Sequence, residues 1–257
     1  MTPMFDLDTT PLPHAARHPV VLVAAAPPES SPLVSAPRAA ASPATAFAEP
    51  ARLLYDVQAG DSSAYTAQGE LLWQPAAGHY SARLDMSVFG IRLRSWTSTG
   101  ALGPAGLQPT LFADQGRGRE QTTHFHRSKG TITFSENTQE VPLQTGAQDK
   151  LSALLQLSAL VAGAPDAYPA GAVIRFQAAD AHHAELWNFK AGAAETLRLP
   201  GGEVRALKFS KAPTGNFNQG IEVWLAPGQQ YLPVRLRITE ANGAYADLMW
   251  RRTQRTE

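Results

Sequence analysis

The 257-residue chain contains no cysteine. Disulfides, thiolate nucleophiles and Cys-ligated zinc or iron–sulfur centres are thereby excluded. So is a lipid-acylated cysteine anchor. Net charge is missing as well, because Lys+Arg and Asp+Glu each number 22. A neutral chain carries no global basic field, so no nucleic-acid partner is expected. Charged residues amount to only 17%, below the usual quarter or so. The common motifs of nucleophilic catalysis are absent too. No G-x-S-x-G elbow occurs, and no spacing singles out a pair among Asp85, Glu136, Glu140, Glu185 and Glu222 for glycosidic chemistry. Gly116-Arg117-Gly118-Arg119 has no helix after it, which argues against a phosphate-binding loop. These absences point away from an enzyme, and no cofactor is expected.

The first fifty residues lack Gly, Trp, Tyr and Lys, but hold ten of the twenty prolines and twelve alanines. Such a segment buries too little apolar surface to offset its ordering entropy. Residues 1–50 therefore read as a disordered Ala/Pro-rich linker or tail. Its apolar run, Pro19 to Ala26, covers eight residues, against the roughly 20 that span a bilayer. Asp6 and Asp8 oppose a signal-peptide n-region, so cytoplasm is the literal reading of the segment. An Ala/Pro linker ahead of a β-rich domain is also the arrangement of anchored envelope proteins.

Residues 51–257 change texture and read as a single β-rich domain. Tyr80, Ala82, Leu84, Met86 and Val88 alternate with polar residues, the period of a half-buried strand. Further alternating segments follow, from Ile91-Arg92-Leu93-Arg94-Ser95-Trp96 to Tyr245–Arg251. Thr99 to Pro109 is turn-rich, Ser128-Lys129-Gly130 marks a hairpin, and Asn242-Gly243 reads as a two-residue turn. Glu195–Leu199 reads as a strand separate from Ala184–Lys190. Asp149–Val161 alone has helical spacing, with Asp149 as expected N-cap and Gly163 and Pro165 as stops. Apolar on most sides, that helix belongs inside a curved sheet. The predicted fold is all-β with one central helix, a curved antiparallel sheet forming a barrel-like or open spiral domain.

Candidate chemistry is sparse. His124 and His126 share a strand face at a spacing that can chelate a metal, with the third ligand to come from Glu120, Glu136 or another strand. This would support a metal-dependent hydrolase, but a solvent-facing pair flanking an inward Phe125 is the simpler reading. His182 and His183, adjacent in an extended segment, point to opposite faces. Arg92 with Arg94, and Arg235 with Arg237, read as basic stripes on solvated strand faces. The Trp-rich curved sheet, by contrast, either fills its interior or holds an apolar ligand.

Three blocks carry a family resemblance. They are W-T-S-T-G-A-L-G-P-A-G-L-Q-P from Trp96 to Pro109, G-A-Q-D-K-L-S-A-L-L-Q-L from Gly146 to Leu157, and Trp224-Leu225-Ala226-Pro227 through Leu232-Pro233-Val234-Arg235. Together, over roughly residues 51–252, the chain resembles the domain of unknown function 3108 family of proteobacterial envelope proteins. The resemblance implies an exported or anchored β-rich protein, located in the periplasm or cell envelope, and supplies no catalytic residues. The predicted fold is similar by analogy to the lipoprotein carriers LolA and LolB. The functional expectation is a non-catalytic envelope protein binding an apolar or amphipathic ligand, such as a lipid or lipidated chain. A structural module docking an envelope protein partner is the alternative. Trp96, Gln148, Asp149, Gln156, Trp224 and Arg235 are the candidate ligand-binding residues, although Gln148 and Asp149 also suit helix capping.

Overall fold

A computed structural model describes residues 44–60, 67–214 and 219–255. The predicted linker lies mostly outside the described residues, which begin at residue 44. Its last residues, 44–50, run along the domain: the Ala46 amide donates to the Ala159 carbonyl and the Trp73 indole donates to the Ala48 carbonyl.

The strands are β1 (Ala51–Ala59), β2 (Ala67–Ala76), β3 (His79–Val88), β4 (Ile91–Gly103), β5 (Gly106–Gln115), β6 (Gln121–His126), β7 (Thr131–Phe134), β8 (Glu140–Pro142) and β9 (Gln148–Asp149). After helix α1 (Ser152–Gly163) come β10 (Val173–Ala179), β11 (Ala184–Leu199), β12 (Gly202–Lys211), β13 (Gly220–Leu225), β14 (Pro233–Thr239) and β15 (Tyr245–Arg255). All fifteen form one sheet in the order β8-β7-β6-β5-β4-β3-β2-β1-β15-β14-β13-β12-β11-β10-β9. Every pairing is antiparallel except β9 with β10.

The two edge strands, β8 and β9, are joined by residues 143–147 alone. Six peptide steps from Pro142 to Gln148 reach at most about 20 Å, so a fifteen-stranded sheet must curl until its edges approach. Side chains bridge the seam. The Gln177 amide on β10 donates to the Pro142 carbonyl and accepts from the Gln144 amide N–H, and the Thr123 hydroxyl on β6 donates to the Asp180 carbonyl. No backbone ladder closes the two edges among the described residues, so the sheet is an open, barrel-like curl.

Helix α1 fills the inside of the curl. Every residue from Ser152 to Val161 is buried, consistent with its lack of a polar face. Leu151, Leu154 and Leu155 meet Tyr55, Leu71, Leu84, Leu236 and Leu248 around a small residual void of about 10 Å³. At roughly 1.5–3 kcal/mol per buried large apolar side chain, this packing stabilises the curled sheet from inside. Among the described residues no helix is long and apolar enough to cross a membrane.

Several local expectations are corrected. Leu151, not Asp149, is the N-cap, and the helix continues through Gly163. The turn-rich stretch at Thr99–Pro109 is two strands joined at Pro104-Ala105. Residues 184–199 form one strand with a ladder irregularity between Ala191 and Ala194. The bend there carries the far end of the β11–β12 hairpin over the outer face, where Leu197 and Ala206 pack with Trp224, Ala226 and Val234. The turn between β14 and β15 spans residues 240–244 and is closed by the Glu240 amide donating to the Ala244 carbonyl.

Candidate functional site

The register of β3 and β4 decides what faces the interior. A bulge lies between Met86 and Ser87, so that Met86 pairs with Arg94 but Ser87 pairs with Arg92. The extra residue puts the two arginines on opposite faces, which corrects the predicted basic stripe. Arg92 turns outward to Asp85 at 3.6 Å. Arg94 turns inward with Trp96 and forms two hydrogen bonds to the buried Asp114 carboxylate, at 2.8 and 2.6 Å.

Arg94 and Trp96 line an open cavity of about 210 Å³ at one end of the curl, with Met86, Ile238 and Ala246 as apolar wall and Lys150 beside the helix start. The Lys150 ammonium stands 4.7 Å from the centre of the Trp96 ring, while Lys150 is only 5% exposed. Burial, and after it the neighbouring Arg94 charge, pulls its pKa down. The Trp96 indole N–H is buried without an acceptor. A second cavity of about 330 Å³ shares Arg94 and extends past Asp114 towards Arg119 and Glu136. The closed end of the curl lies at the other terminus of α1, where residues 44–48 pack.

A larger groove of about 520 Å³ runs along β1, β2, β3 and β15. Ion pairs cross that region, Arg52 to Glu70 at 3.4 Å, Arg92 to Asp85 at 3.6 Å and Arg251 to Asp56 at 3.3 Å. Of its lining charges, Glu70, Asp85, Arg92 and Arg251 are ion-paired.

The six predicted ligand-binding residues do not form one site. Trp96 lines the cavity. Gln148 and Gln156 repair a strand edge: β6 pairs only with Leu111–Asp114 of β5, leaving Leu107 without a strand partner on that side. The Gln156 carbonyl oxygen accepts from the Leu107 amide at 2.8 Å, and the Gln148 side-chain amide donates to the Leu107 carbonyl at 2.8 Å. The Gln156 side-chain amide also donates to the Ala105 carbonyl at 2.9 Å.

Asp149 is fully buried and holds the start of α1. Its Oδ1 accepts from the Leu151 and Ser152 amides at 2.9 and 2.7 Å, and its Oδ2 accepts from the Ser98 hydroxyl at 2.5 Å. The Ser98 hydroxyl in turn lies 2.9 Å from the Tyr80 hydroxyl. Burial outweighs these hydrogen bonds and pushes the Asp149 carboxyl up to about 6. Tyr80 is likewise raised by burial.

Trp224 and Arg235 lie on the outer face. The Trp224 indole donates to the Glu195 carboxylate, the Arg235 guanidinium stacks 4.7 Å above the Trp224 ring, and it forms two hydrogen bonds to Asp247, at 2.9 and 2.6 Å. Arg237 also reaches Asp247, at 3.6 Å, so the second predicted basic stripe is paired rather than free.

His124 and His126 do share a strand face, with ring centres 5.9 Å apart. His126 Nε2 lies 2.9 Å from the Thr133 hydroxyl. Among the described residues no three His, Asp or Glu side chains gather to hold a metal, so neither Glu120 nor Glu136 completes a site. His182 and His183 follow Asp180, whose Oδ1 accepts both their amides at 2.8 Å.

Sequence reasoning missed Lys150 and the inward turn of Arg94. A lysine just ahead of a helix N-terminus opposes the macrodipole, and that signal was available at Lys150. The bulge that turns Arg94 had none.

No curated protein matches this chain. Among solved structures it is similar to a crystal structure of a beta-barrel-like protein of domain of unknown function DUF1849 from Brucella abortus. The identity is 12%, the TM-score is 0.52, and the match covers 83% of this chain and 100% of that one. At that identity the likeness concerns the fold. A family model described as "Protein of unknown function (DUF3108)" matches residues 78–249; that is more than half of the 257 residues, and the chain belongs to this family.

Proposed function

We propose that this protein is a non-catalytic binding module of the cell envelope, and that it takes an apolar or amphipathic ligand at the open end of its curled sheet. The filled interior around α1 moves the site from the concave centre to the mouth. The observation that carries the reading is the cavity of about 210 Å³ walled by Met86, Trp96, Ile238 and Ala246. An apolar pocket with a few polar groups is the usual form of a small-molecule site. Its size suits a short acyl chain or a ring system rather than a whole phospholipid.

The test is calorimetric titration of the full chain with 1-decanol and with sodium decanoate, each below its aggregation threshold. Saturable 1:1 binding of at least one is expected. Ala246→Leu, which fills the cavity, should weaken it at least tenfold. The absence of saturable binding by either compound up to millimolar concentration would overturn the reading.

The envelope location rests on the composition of residues 1–50 and on the family's other members. Fractionation of cells making the untagged full chain should recover it with the envelope or periplasm. Recovery in the cytosol alone would reject that part of the proposal.

A further inference from the structure

We infer that the ligand of the mouth cavity carries an anionic head, and that Lys150 is its counter-ion. This rests on the binding reading above and adds the chemical class of the ligand.

The inference comes from an unmatched charge. Lys150 is 5% exposed, and burying an ammonium without a partner is costly. Its one contact of note is the Trp96 ring. Among the described residues no carboxylate stands within ion-pair distance of it and no oxygen accepts its hydrogens.

The carboxylates that face Lys150 from farther away are Asp114, Asp180 and Glu240, and each makes its hydrogen bonds to other groups. Asp114 holds Arg94 through two hydrogen bonds. Asp180 accepts the amides of His182 and His183. Glu240 lines the same cavity and accepts from the neutral Gln219 side chain at 2.6 Å, so it keeps its charge but stands outside ion-pair distance of Lys150. The amides at the start of α1 are no anion site either, because Asp149 already occupies them.

What remains is an ammonium with no ion pair among the described residues, set between the Trp96 ring and a cavity whose wall is largely apolar. The cation–π contact with Trp96 offsets only part of its burial. The lowered pKa has the direction expected of an ammonium still lacking its counter-charge. An anion whose apolar tail runs along Met86 and Ile238 satisfies both sides of the site at once. Lysine is a point-charge donor and fits a single carboxylate or phosphate oxygen.

The test titrates the full chain with decanoate, decyl phosphate and 1-decanol, which share one tail, and repeats the series with Lys150→Met. The wild type should bind at least one anion tenfold or more tightly than decanol. Lys150→Met should reduce that preference to within about twofold. The stronger of decanoate and decyl phosphate identifies the head group. Decanol binding as tightly as both anions would overturn the inference and leave the binding reading standing. A preference that survives Lys150→Met would also overturn it. If none of the three binds, both readings fall.

Should Lys150→Met not fold, the wild type answers by another route. Acetylation of Lys150 by acetic anhydride, followed by peptide mass spectrometry, should slow at least threefold with the bound anion and not with decanol. Equal rates with the anion and without it would reject the contact.

Discussion

Replacing Asp149 with alanine is expected to lower stability by about 3–5 kcal/mol, while asparagine at the same position costs far less near neutral pH. Alanine leaves the Leu151 and Ser152 amides and the Ser98 hydroxyl without their acceptor. The site is fully buried, and each unsatisfied buried group costs about 1–3 kcal/mol. Asparagine keeps an acceptor for both amides, and its side-chain NH₂ can donate to Ser98, which then turns its proton towards Tyr80. It also abolishes a titration. Burial raises the Asp149 carboxyl to about 6 from 3.8, so the folded chain holds the proton more tightly than the unfolded chain does. The cost of ionising Asp149 is therefore absent below pH 4 and complete above pH 6. Through this window the wild type loses about 2–3 kcal/mol from this group as pH rises. The stability of Asp149→Asn relative to wild type should rise by about 2 kcal/mol between pH 4.5 and 7.5, the rest of the effect lying below pH 4.5. Urea unfolding of the three proteins across that range makes the comparison. A wild-type-minus-asparagine difference that does not change with pH would refute the desolvation argument, and an alanine variant as stable as the asparagine one would refute the capping argument.

The same residue shows how far the sequence could be read. Asp149 followed by an apolar run announces a helix start, and burial on all sides follows from the run having no polar face. The alternation at Tyr80, Ala82 and Leu84 likewise names three buried residues on one strand face. These signals are local, with periods of about two and four residues, so they survive in one dimension. What was not legible depends on register. The bulge opposite Met86 turns Arg94 inward and Arg92 outward, although both carry the same local pattern. The distance between Trp96 and Trp224 depends on which face each strand presents after such irregularities. Gln148 lies on β9 and Gln156 on the otherwise apolar helix α1, and a buried polar side chain in either place calls for a reason. The reason is a strand edge about fifty residues away in sequence that β6 is too short to cover.

Lys150 and Asp149 are neighbours with opposite fates, and the contrast clarifies the division of labour in this end of the fold. The carboxylate is saturated by protein donors and turned away from solvent, which suits a fixed structural role. The ammonium packs against Trp96, has no protein acceptor among the described residues and opens to a cavity. A site that recognises a ligand needs one group in the second condition, held in place by groups in the first. Asp149 fixes the start of α1, and Gln148 and Gln156 fix β5 against it. Together they set the position of Lys150 relative to β4.

That clamp gives the second large effect. Gly106→Ala should cost about 3–5 kcal/mol, most of it through Gln156. Gly106 has φ of +113°, a conformation that costs an L-residue about 1–3 kcal/mol. A Cβ there would lie 2.1 Å from Gln156 Oε1 and 2.5 Å from its Cδ. A glutamine side chain normally swings aside at little cost. This one is 6% exposed and tied to Leu107 and Ala105, so moving it orphans an amide and a carbonyl. Gln156→Ala alone should cost about 2–3 kcal/mol for the same lost bonds. In the double variant the collision has no partner, and adding Gly106→Ala should then cost only the backbone strain of about 1–3 kcal/mol. The two changes should therefore be less than additive by about 1.5–3 kcal/mol, a coupling that a double-mutant cycle in urea resolves. Additivity within about 0.5 kcal/mol would mean that Gln156 yields freely and that β5 is not clamped to the helix through it.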